Sequence, residues 1–284
     1  MTTIRLALAQ INPTVGDLRG NLEKIMSFVS IAERSEADVV AFPELSVTGY
    51  PPEDLLLKPQ FVKENIEAVA EIAGKSRNIA TVFGFVDFHR ERYNSAAVAY
   101  QGKIVGTHRK IFLPNYGVFD EARYFKPGQI CPVFTIAGVS IGLNICEDIW
   151  YDLGPTGVQR AAGAEIIINI NGSPFHAGKR DERENMLRTR AKDHGLFIAY
   201  VNQVGGQDEL VFDGSSVILD PQGKIICRAP QFEEDMVICD INVEALRELR
   251  RDGSSNFQLE GQDDVGSAQH FFVSGKSMRS MNKI

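Results

Sequence analysis

VSIGLNICEDIW, residues 139–150, joins an unbroken apolar run to a cysteine, two acids and a tryptophan. An apolar run without alternating polar positions is typical of a strand that is buried on both faces. A side chain at the sharp end of such a strand can point into a cleft, where backbone N–H groups face a substrate oxygen. Cys146 has this position and is a candidate nucleophile, although most buried cysteines are inert packing residues. The other cysteines lie in or beside strand-like runs without such a break: Cys131, Cys227 and Cys239.

Further apolar runs alternate with helical patterns along the chain. The predicted strands cover 4–9, 38–42, 80–86, 139–145, 165–170 and 196–201. Apolar residues spaced at i, i+3, i+4 and i+7 predict helices over 21–34, with Asn21 as a candidate cap, and over 61–73. Residues 179–193 predict a strongly charged helix that we expect to be largely solvated. The alternation of strands and helices indicates an α/β layered fold.

Two predicted hairpins suggest an internal repeat. AVAYQGKIVG (97–106) and VILDPQGKIICR (217–228) each place Gln-Gly-Lys at a turn between apolar arms. The similarity indicates two related halves, each ending in a hairpin. Coincidence between two ordinary turns explains it equally well.

Composition limits the class of protein. The chain has 284 residues, 44% hydrophobic side chains and a formal net charge of −7, which suits a large core and argues against a nucleic-acid binder. No apolar run approaches the roughly 18 residues of a membrane span. Cysteines and histidines lack metal-site spacing, so we expect no metal, and we expect no other cofactor. The four cysteines do not form a disulfide scaffold, so we expect a reduced, cytoplasmic protein. Residues 1–250 predict one domain, and the Gly- and Ser-rich segment 251–284 predicts a flexible or partner-docking tail.

Two more strand ends carry reactive side chains. Glu44 follows the predicted strand 38–42, where open α/β sheets place ligand-contacting loops. Lys110 follows the first hairpin and precedes a long aromatic-rich loop, and such loops are usually functional. Taken singly, each side chain is more often a solvated surface residue. Together with Cys146 they form a complete set, because a carboxylate can take the thiol proton and an ammonium can face the oxyanion formed on attack at an amide.

Glu44, Lys110 and Cys146 occur in the order and spacing of the nitrilase, or carbon–nitrogen hydrolase, superfamily, which the chain resembles over essentially all of 4–245. PELSVTGYPPEDLL, RKIFLPNYGVFDEARYFKPG and ICEDIW are similar to the glutaminase domain of glutamine-dependent NAD synthetases. The resemblance implies a four-layer αββα sandwich and hydrolysis of glutamine to glutamate and ammonia. It also implies that Glu44 is the general base, that Lys110 stabilises the tetrahedral intermediate and that Cys146 forms a thioester. Glu121 matches the family's second acid.

The resemblance further implies a glutamine pocket. Glu147 suits the α-ammonium group of glutamine, and Lys179 stands where the family often has an arginine for the α-carboxylate. Because lysine binds as a point charge, Arg180 is a substitute candidate. The other implied pocket positions are Tyr50, Tyr116, Phe119 and Ser173.

Three functions stay open on the sequence. The first is a glutaminase that supplies ammonia for NAD synthesis to a synthetase domain or subunit, since 251–284 offers only VSGKS (273–277) in place of an ATP-using domain. The second is a stand-alone amidase or carbamoylase that acts on another small ω-amide. The third is a non-catalytic binding subunit, which the intact Glu44, Lys110 and Cys146 set opposes. The resemblance also implies a homo-oligomer.

Overall fold

The computed structural model of the protein describes residues 2–251 and 265–277. No helix in these two ranges combines the length and the apolar content that crossing a membrane requires. Single turns of 3₁₀ helix occupy Glu53–Leu57 and Cys146–Ile149. The α-helices are α1 (Leu18–Arg34), α2 (Pro59–Lys75), α3 (Glu121–Tyr124), α4 (Pro155–Ala161), α5 (Lys179–His194) and α6 (Glu244–Arg251).

The first sheet comes mainly from the N-terminal half of the chain. The first three strands run parallel, because α1 and α2 cross over between them, and the next two continue as antiparallel hairpins. The spatial order is β14 (Asp235–Asn242), β1 (Thr3–Gln10), β2 (Val39–Ala41), β3 (Ala80–His89), β4 (Glu91–Tyr100) and β5 (Lys103–Arg109).

The second sheet comes from the C-terminal half. A small separate hairpin, β10 (Val204–Gln207) with β11 (Leu210–Asp213), follows its central strands. The spatial order is β13 (Ile225–Arg228), β12 (Val217–Leu219), β9 (Phe197–Asn202), β8 (Ile166–Asn171), β7 (Val139–Ile145), β6 (Ile130–Ile136) and β15 (Ser267–Phe272).

The two halves share one topology. In each, three parallel strands are joined by two helices and followed by two antiparallel strands: β1, β2, β3, β4 and β5 in the first half, and β7, β8, β9, β12 and β13 in the second. The two Gln-Gly-Lys turns occupy the same place, between the last two strands of each set. The structure therefore favours related halves over coincidence.

Alternating side chains build the layers. On β1, Ile4, Leu6 and Leu8 pack between the two sheets, whereas Ala7 and Ala9 face α1 and α2. The outer face of the second sheet packs on α5 in the same way. Side chains of successive strand residues point to opposite faces, so each sheet buries both of its faces. The result is the predicted four-layer αββα sandwich.

Helix α5 is not the solvated helix that its charge predicted. Arg183 is 1% exposed and forms a two-pronged ion pair with Asp213, with N···O distances of 2.8 and 3.1 Å. Arg190 donates to the backbone carbonyls of Ile149 and Trp150 at 3.0 and 2.7 Å. The prediction was wrong because arginine can be buried when a carboxylate or carbonyl receives its fork of donors.

The cap of helix α1 is not the predicted Asn21. Helix α1 begins at Leu18, and its cap is Asp17, whose side chain accepts a hydrogen bond from the Gly20 N–H at 2.8 Å. Asn21 lies inside the helix and donates to the carbonyls of Thr14 and Val47. It therefore holds the preceding loop and does not cap the helix.

The folded part of the chain continues past residue 250, where the sequence analysis placed its end. Strand β15 pairs in parallel with β6, and the Phe271 ring stacks on Phe134 with centroids 5.0 Å apart. Gly106 makes room for both rings, because a Cβ there would lie 2.8 Å from Phe134 and 2.9 Å from Phe271. The polar composition hid this strand, since an edge strand needs few buried side chains. Phe257, another aromatic residue of the predicted tail, lies outside the described residues.

Candidate active site

The three candidate catalytic residues stand at the ends of strands. Glu44 follows β2 in a turn that packs against Gly84 of β3, where an added Cβ would lie 2.2 Å from the Leu45 nitrogen. Lys110 directly follows β5. Cys146 directly follows β7 and has a φ of +43°, a left-handed conformation that costs a non-glycine residue of order 1–3 kcal/mol. The predicted sharp break after this strand is therefore confirmed.

Lys110 lies between two carboxylates in a buried network. Its Nζ donates to Glu44 Oε1 at 2.8 Å and to Glu121 Oε1 at 2.7 Å, and its side chain has no exposed surface. Asn94 on β4 donates to Glu44 at 2.7 Å, and the Gly172 N–H donates to the other Glu44 oxygen at 2.8 Å. These contacts fix the orientation of the Glu44 carboxylate.

Lys110 keeps its positive charge in this network. Burial alone lowers the pKa of a lysine, but the carboxylates of Glu121 and Glu44 outweigh burial and raise the pKa of Lys110 well above its ordinary value. The site therefore contains a fixed cation that water does not screen, which is the form of charge that best stabilises a developing oxyanion.

Cys146 is a neutral thiol in the absence of substrate. Burial raises its pKa well above the ordinary value, Glu44 adds to the rise, and Lys110 opposes it. A thiolate is the nucleophilic form of cysteine. The proton must therefore leave as the sulfur attacks, and Glu44 is the adjacent group that can accept it.

Glu121 titrates near neutral pH. Burial raises its pKa from 4.5 to about 7, with Glu44 adding to the rise and Lys110 opposing it. Tyr50 donates to Glu121 Oε1 at 3.2 Å, and burial raises the pKa of Tyr50 well above its ordinary value. Tyr50 therefore remains a hydrogen-bond donor that holds Glu121.

A cavity of about 380 Å³ opens above Cys146. This volume is within the range of small-molecule sites. The cavity brings together most of the predicted pocket residues, and its lining includes Cys146, Tyr116, Phe119, Glu147, Trp150, Ser173, His176 and Lys179.

The cavity carries opposite charges. Tyr116 donates to both oxygens of Glu147 at 3.0 Å. The Lys179 Nζ lies 4.3 Å from the centroid of the Trp150 ring and 3.3 Å from a carboxylate oxygen of Glu182. An anionic and a cationic side chain in one small cavity are complementary to a zwitterionic amino acid.

Two predicted pocket residues do not line this cavity. Tyr50 is 4% exposed and contacts Glu121 and Phe212 instead. Arg180 hydrogen-bonds Gln231 at 3.3 Å and pairs with Asp181 at 3.6 Å. Successive helix residues point about 100° apart, so Lys179 and Arg180 cannot face the cavity together.

The sequence analysis missed several residues of the site. Asn94 bridges Glu44 and Glu121, and Asn202 holds Ser173 through two backbone contacts at 2.9 and 3.2 Å. Trp150 forms part of the wall. Asn202 ends an otherwise apolar strand and could have been found by that signal, whereas Asn94 lies in the polar first half of β4, which gives no such signal. Within residues 2–251 and 265–277, no cluster of three or more His, Cys, Asp or Glu side chains could hold a metal ion.

Comparison with known proteins finds a matching family and similar curated proteins. A family model described as carbon-nitrogen hydrolase matches residues 5–251. A glutamine-dependent NAD(+) synthetase from Aquifex aeolicus is 46% identical over 253 residues, which are 87% of this chain and 44% of that protein. The chain thus spans less than half the length of such curated relatives.

Solved structures of an NAD+ synthetase and of an amidase are also similar to this chain. A glutamine-dependent NAD+ synthetase from Acinetobacter baumannii, in complex with ADP, has a TM-score of 0.82 and 40% identity over 86% of this chain and 46% of that one. An amidase mutant from Nesterenkonia sp. AN1, with the acetamide moiety of fluoroacetamide added covalently at its active site cysteine, has a TM-score of 0.75 and 25% identity over 90% of this chain and 97% of that one.

Proposed function

This chain belongs to the carbon–nitrogen hydrolase family, and we propose that it hydrolyses the side-chain amide of glutamine to glutamate and ammonia. The observation that carries the proposal is the combination of two features around Cys146. The Glu44–Lys110–Glu121 network lies beside the thiol, and Glu147 and Lys179 line the cavity that opens on it.

The cavity favours an amino acid with an amide side chain. Glu147 can receive the α-ammonium group, and Lys179 can pair with the α-carboxylate. Trp150 and Phe119 supply apolar walls for the methylene stem. With both ends of the backbone held at the mouth, the side-chain amide points toward Cys146.

The reaction follows from the protonation states. As the Cys146 sulfur attacks the amide carbon, its proton passes to Glu44, and negative charge develops on the carbonyl oxygen near Lys110. Glu44 then returns the proton to the leaving nitrogen, the C–N bond breaks, and ammonia departs from a thioester. Water, deprotonated by Glu44, attacks the thioester and releases glutamate and the thiol.

The product ammonia suggests a partner. The similar proteins are named as glutamine-dependent NAD(+) synthetases, and this chain matches less than half of their length. We therefore propose that the chain supplies ammonia to a synthetase domain or subunit for NAD synthesis. The expected homo-oligomer and cytoplasmic location stay predictions.

One specific observation favours a second function. The amidase from Nesterenkonia aligns over 97% of its own length with this chain. A sandwich of this size can thus be a complete amidase. The alternative is a stand-alone amidase or carbamoylase acting on a small ω-amide that lacks an amino-acid backbone.

Ammonia release separates these functions. Glutamine, asparagine, N-carbamoyl amino acids and simple aliphatic amides should be compared in the wild type and in Cys146→Ala. We expect glutamine to have the highest kcat/KM and the variant to be inactive but folded. A preference for aliphatic amides would support the alternative. Turnover retained by Cys146→Ala would remove the cysteine mechanism, and no turnover by the wild type on any amide would favour a binding subunit.

A further inference from the structure

The carboxylate of Asp148 joins the two backbone segments that carry Lys110 and Cys146. Its Oδ1 accepts the N–H groups of Ile111 and Phe112, both at 3.0 Å. Its Oδ2 accepts the Ile145 N–H at 3.1 Å. Asp148 thus contacts the residue that precedes the nucleophile and the two residues that follow the lysine.

His108 completes the set of donors to Asp148. Its Nε2 lies 2.8 Å from Asp148 Oδ2, and its Nδ1 lies 3.2 Å from the carbonyl oxygen of Ile130. Both ring nitrogens therefore face oxygen acceptors. His108 is the second-last residue of β5, two positions before Lys110, so it ties the start of the same segment to Asp148.

The geometry of this group leaves it little freedom. Neither side chain has exposed surface. An ionised carboxylate offers about four lone-pair sites, and four donors occupy those of Asp148. A buried carboxylate with every site filled cannot rotate without leaving a donor unpaired, which is costly away from water.

Neither residue belongs to the wall of the substrate cavity. The cavity above Cys146 is lined by Glu147 and Trp150 on this turn, and Asp148 points away from it into the protein. Asp148 therefore acts on the reaction only through the backbone that it holds.

We propose that Asp148 and His108 form a positioning clamp that sets the distance between the Lys110 ammonium and the Cys146 sulfur. The proposal rests on the proposed function, in which Lys110 stabilises charge on the amide that Cys146 attacks. The two catalytic groups come from different sheets, and the clamp is a direct bond between the loops that carry them. Displacement of reacting groups by about 1 Å can cost about 10²-fold in rate.

Asp148→Asn is the decisive variant. An amide group keeps the shape of the carboxylate but replaces one oxygen by a donor. Whichever way the amide turns, its NH₂ meets either the N–H groups of Ile111 and Phe112 or the Ile145 N–H and His108. At least one hydrogen bond from a backbone N–H of the Lys110 segment or the Cys146 turn is lost, so the two are no longer held together as in the wild type.

Glu165→Gln is the matched control. Glu165 is also a buried carboxylate, and it accepts the Ser140 N–H at 2.9 Å and the Arg247 guanidinium at 2.5 and 2.9 Å. Ser140 is near the start of β7, at the opposite end of the strand from Cys146. This variant breaks a comparable buried contact without touching the catalytic segments.

Two readouts apply to the full chain, at a temperature where circular dichroism shows each variant to be folded. They are kcat and KM for glutamine, and the rate at which iodoacetamide alkylates Cys146, followed by peptide mass spectrometry. We expect Asp148→Asn to lower kcat by about 10²-fold with KM within about threefold, and to slow alkylation. Glu165→Gln should lower the melting temperature and leave both rates within about twofold.

Several outcomes would overturn the clamp. One is a folded Asp148→Asn protein with kcat near that of the wild type. Another is an equal loss of kcat in Glu165→Gln, which would point to general destabilisation. If Asp148→Asn does not fold, His108→Gln decides by the same criteria. In the wild type, the Ile111 and Phe112 amides should be protected from hydrogen exchange, and exchange as fast as in an open loop would refute the proposal without any variant. If the wild type does not turn over glutamine, the proposed function fails, while alkylation and exchange still test the clamp.

Discussion

Replacement of Lys110 by glutamine should reduce stability and turnover for two separate physical reasons. The Nζ of Lys110 lies 2.8 Å from Glu44 and 2.7 Å from Glu121, and none of the lysine side chain is exposed. Removal of one partner from a buried ion pair costs about 3–5 kcal/mol, because the remaining charge is left without compensation. Here two carboxylates are left facing each other. They can reduce the cost by sharing a proton, so the loss of unfolding free energy should be smaller at low pH than at high pH.

The effect on turnover comes from the oxyanion. Loss of one preorganised oxyanion donor lowers kcat by about 10²–10³-fold, which is about 2.7–4 kcal/mol of transition-state stabilisation. In the proposed function, glutamine binding depends on Glu147 and Lys179, which line the cavity and which the substitution leaves in place. We therefore expect kcat to fall by at least about 10²-fold and KM to change by less than about fivefold.

Arg109→Gln is the matched control for this experiment. Arg109 is the adjacent residue, but its side chain is 34% exposed and pairs with Asp87 at 2.7 Å. An ion pair that solvent reaches contributes far less than a fully buried one, with exposed pairs at about 0–1 kcal/mol, so this partly exposed pair should cost much less stability than the Lys110 pairs when broken, and the variant should keep its kcat. Steady-state ammonia release and urea unfolding at two pH values measure both effects. If Lys110→Gln mainly raised KM and left kcat unchanged, Lys110 would act in ground-state binding and the oxyanion role would be wrong.

Three further predictions test other parts of the structure. Burial raises the pKa of Glu121 from 4.5 to about 7. The contribution of its protonated form to stability is therefore complete below pH 4.5 and is lost as the pH rises through about 7. Urea unfolding from about pH 5 to about pH 8 should show this decline in the wild type and a flatter profile in Glu121→Gln. Phe271→Ala should cost about 1–3 kcal/mol, because the ring stacks within the sandwich, whereas Phe272→Ala, at a position 72% exposed, should leave the melting temperature nearly unchanged; equal effects would contradict the packing of β15. Lys179→Ala should raise KM for glutamine with little change in kcat, and Arg180→Ala should change neither; the reverse result would place Arg180 at the α-carboxylate.

The sequence predicted the features that depend only on neighbouring residues, namely the buried strands and their ends. Buried strands appear as apolar runs, and the strand ends at Glu44, Lys110 and Cys146 were correctly located. These positions need only the pattern of neighbouring residues, because a strand buried on both faces is apolar at every position. The two turns only suggested related halves, with coincidence an equal alternative, and the four-layer sandwich was implied by the family resemblance.

Contacts between distant parts of the chain could not be predicted in the same way. Arg183 was assigned to a solvated face because its burial depends on Asp213, thirty positions away in the chain. Asp148 showed no sign of its contacts, since three of its four donors come from residues 108–112, far from it in the chain. A charged side chain looks the same in a sequence whether water or a distant partner satisfies it. Polar residues are therefore the part of the site where sequence patterns carry the least information.

The location of the candidate catalytic groups connects the fold to the proposed chemistry. Glu44 and Lys110 follow strands of the first sheet, whereas Cys146 and Gly172 follow strands of the second. The Gly172 N–H donates to Glu44 across this boundary, and Asp148 accepts from both sides of it. The apolar layer between the sheets thus sets the coarse distance between the Glu44 carboxylate and the Cys146 thiol, and in the proposed clamp the buried hydrogen bonds set the fine distance. The same burial raises the pKa of the Cys146 thiol, so a neutral, protected thiol and an unscreened Lys110 are two consequences of one structural cause.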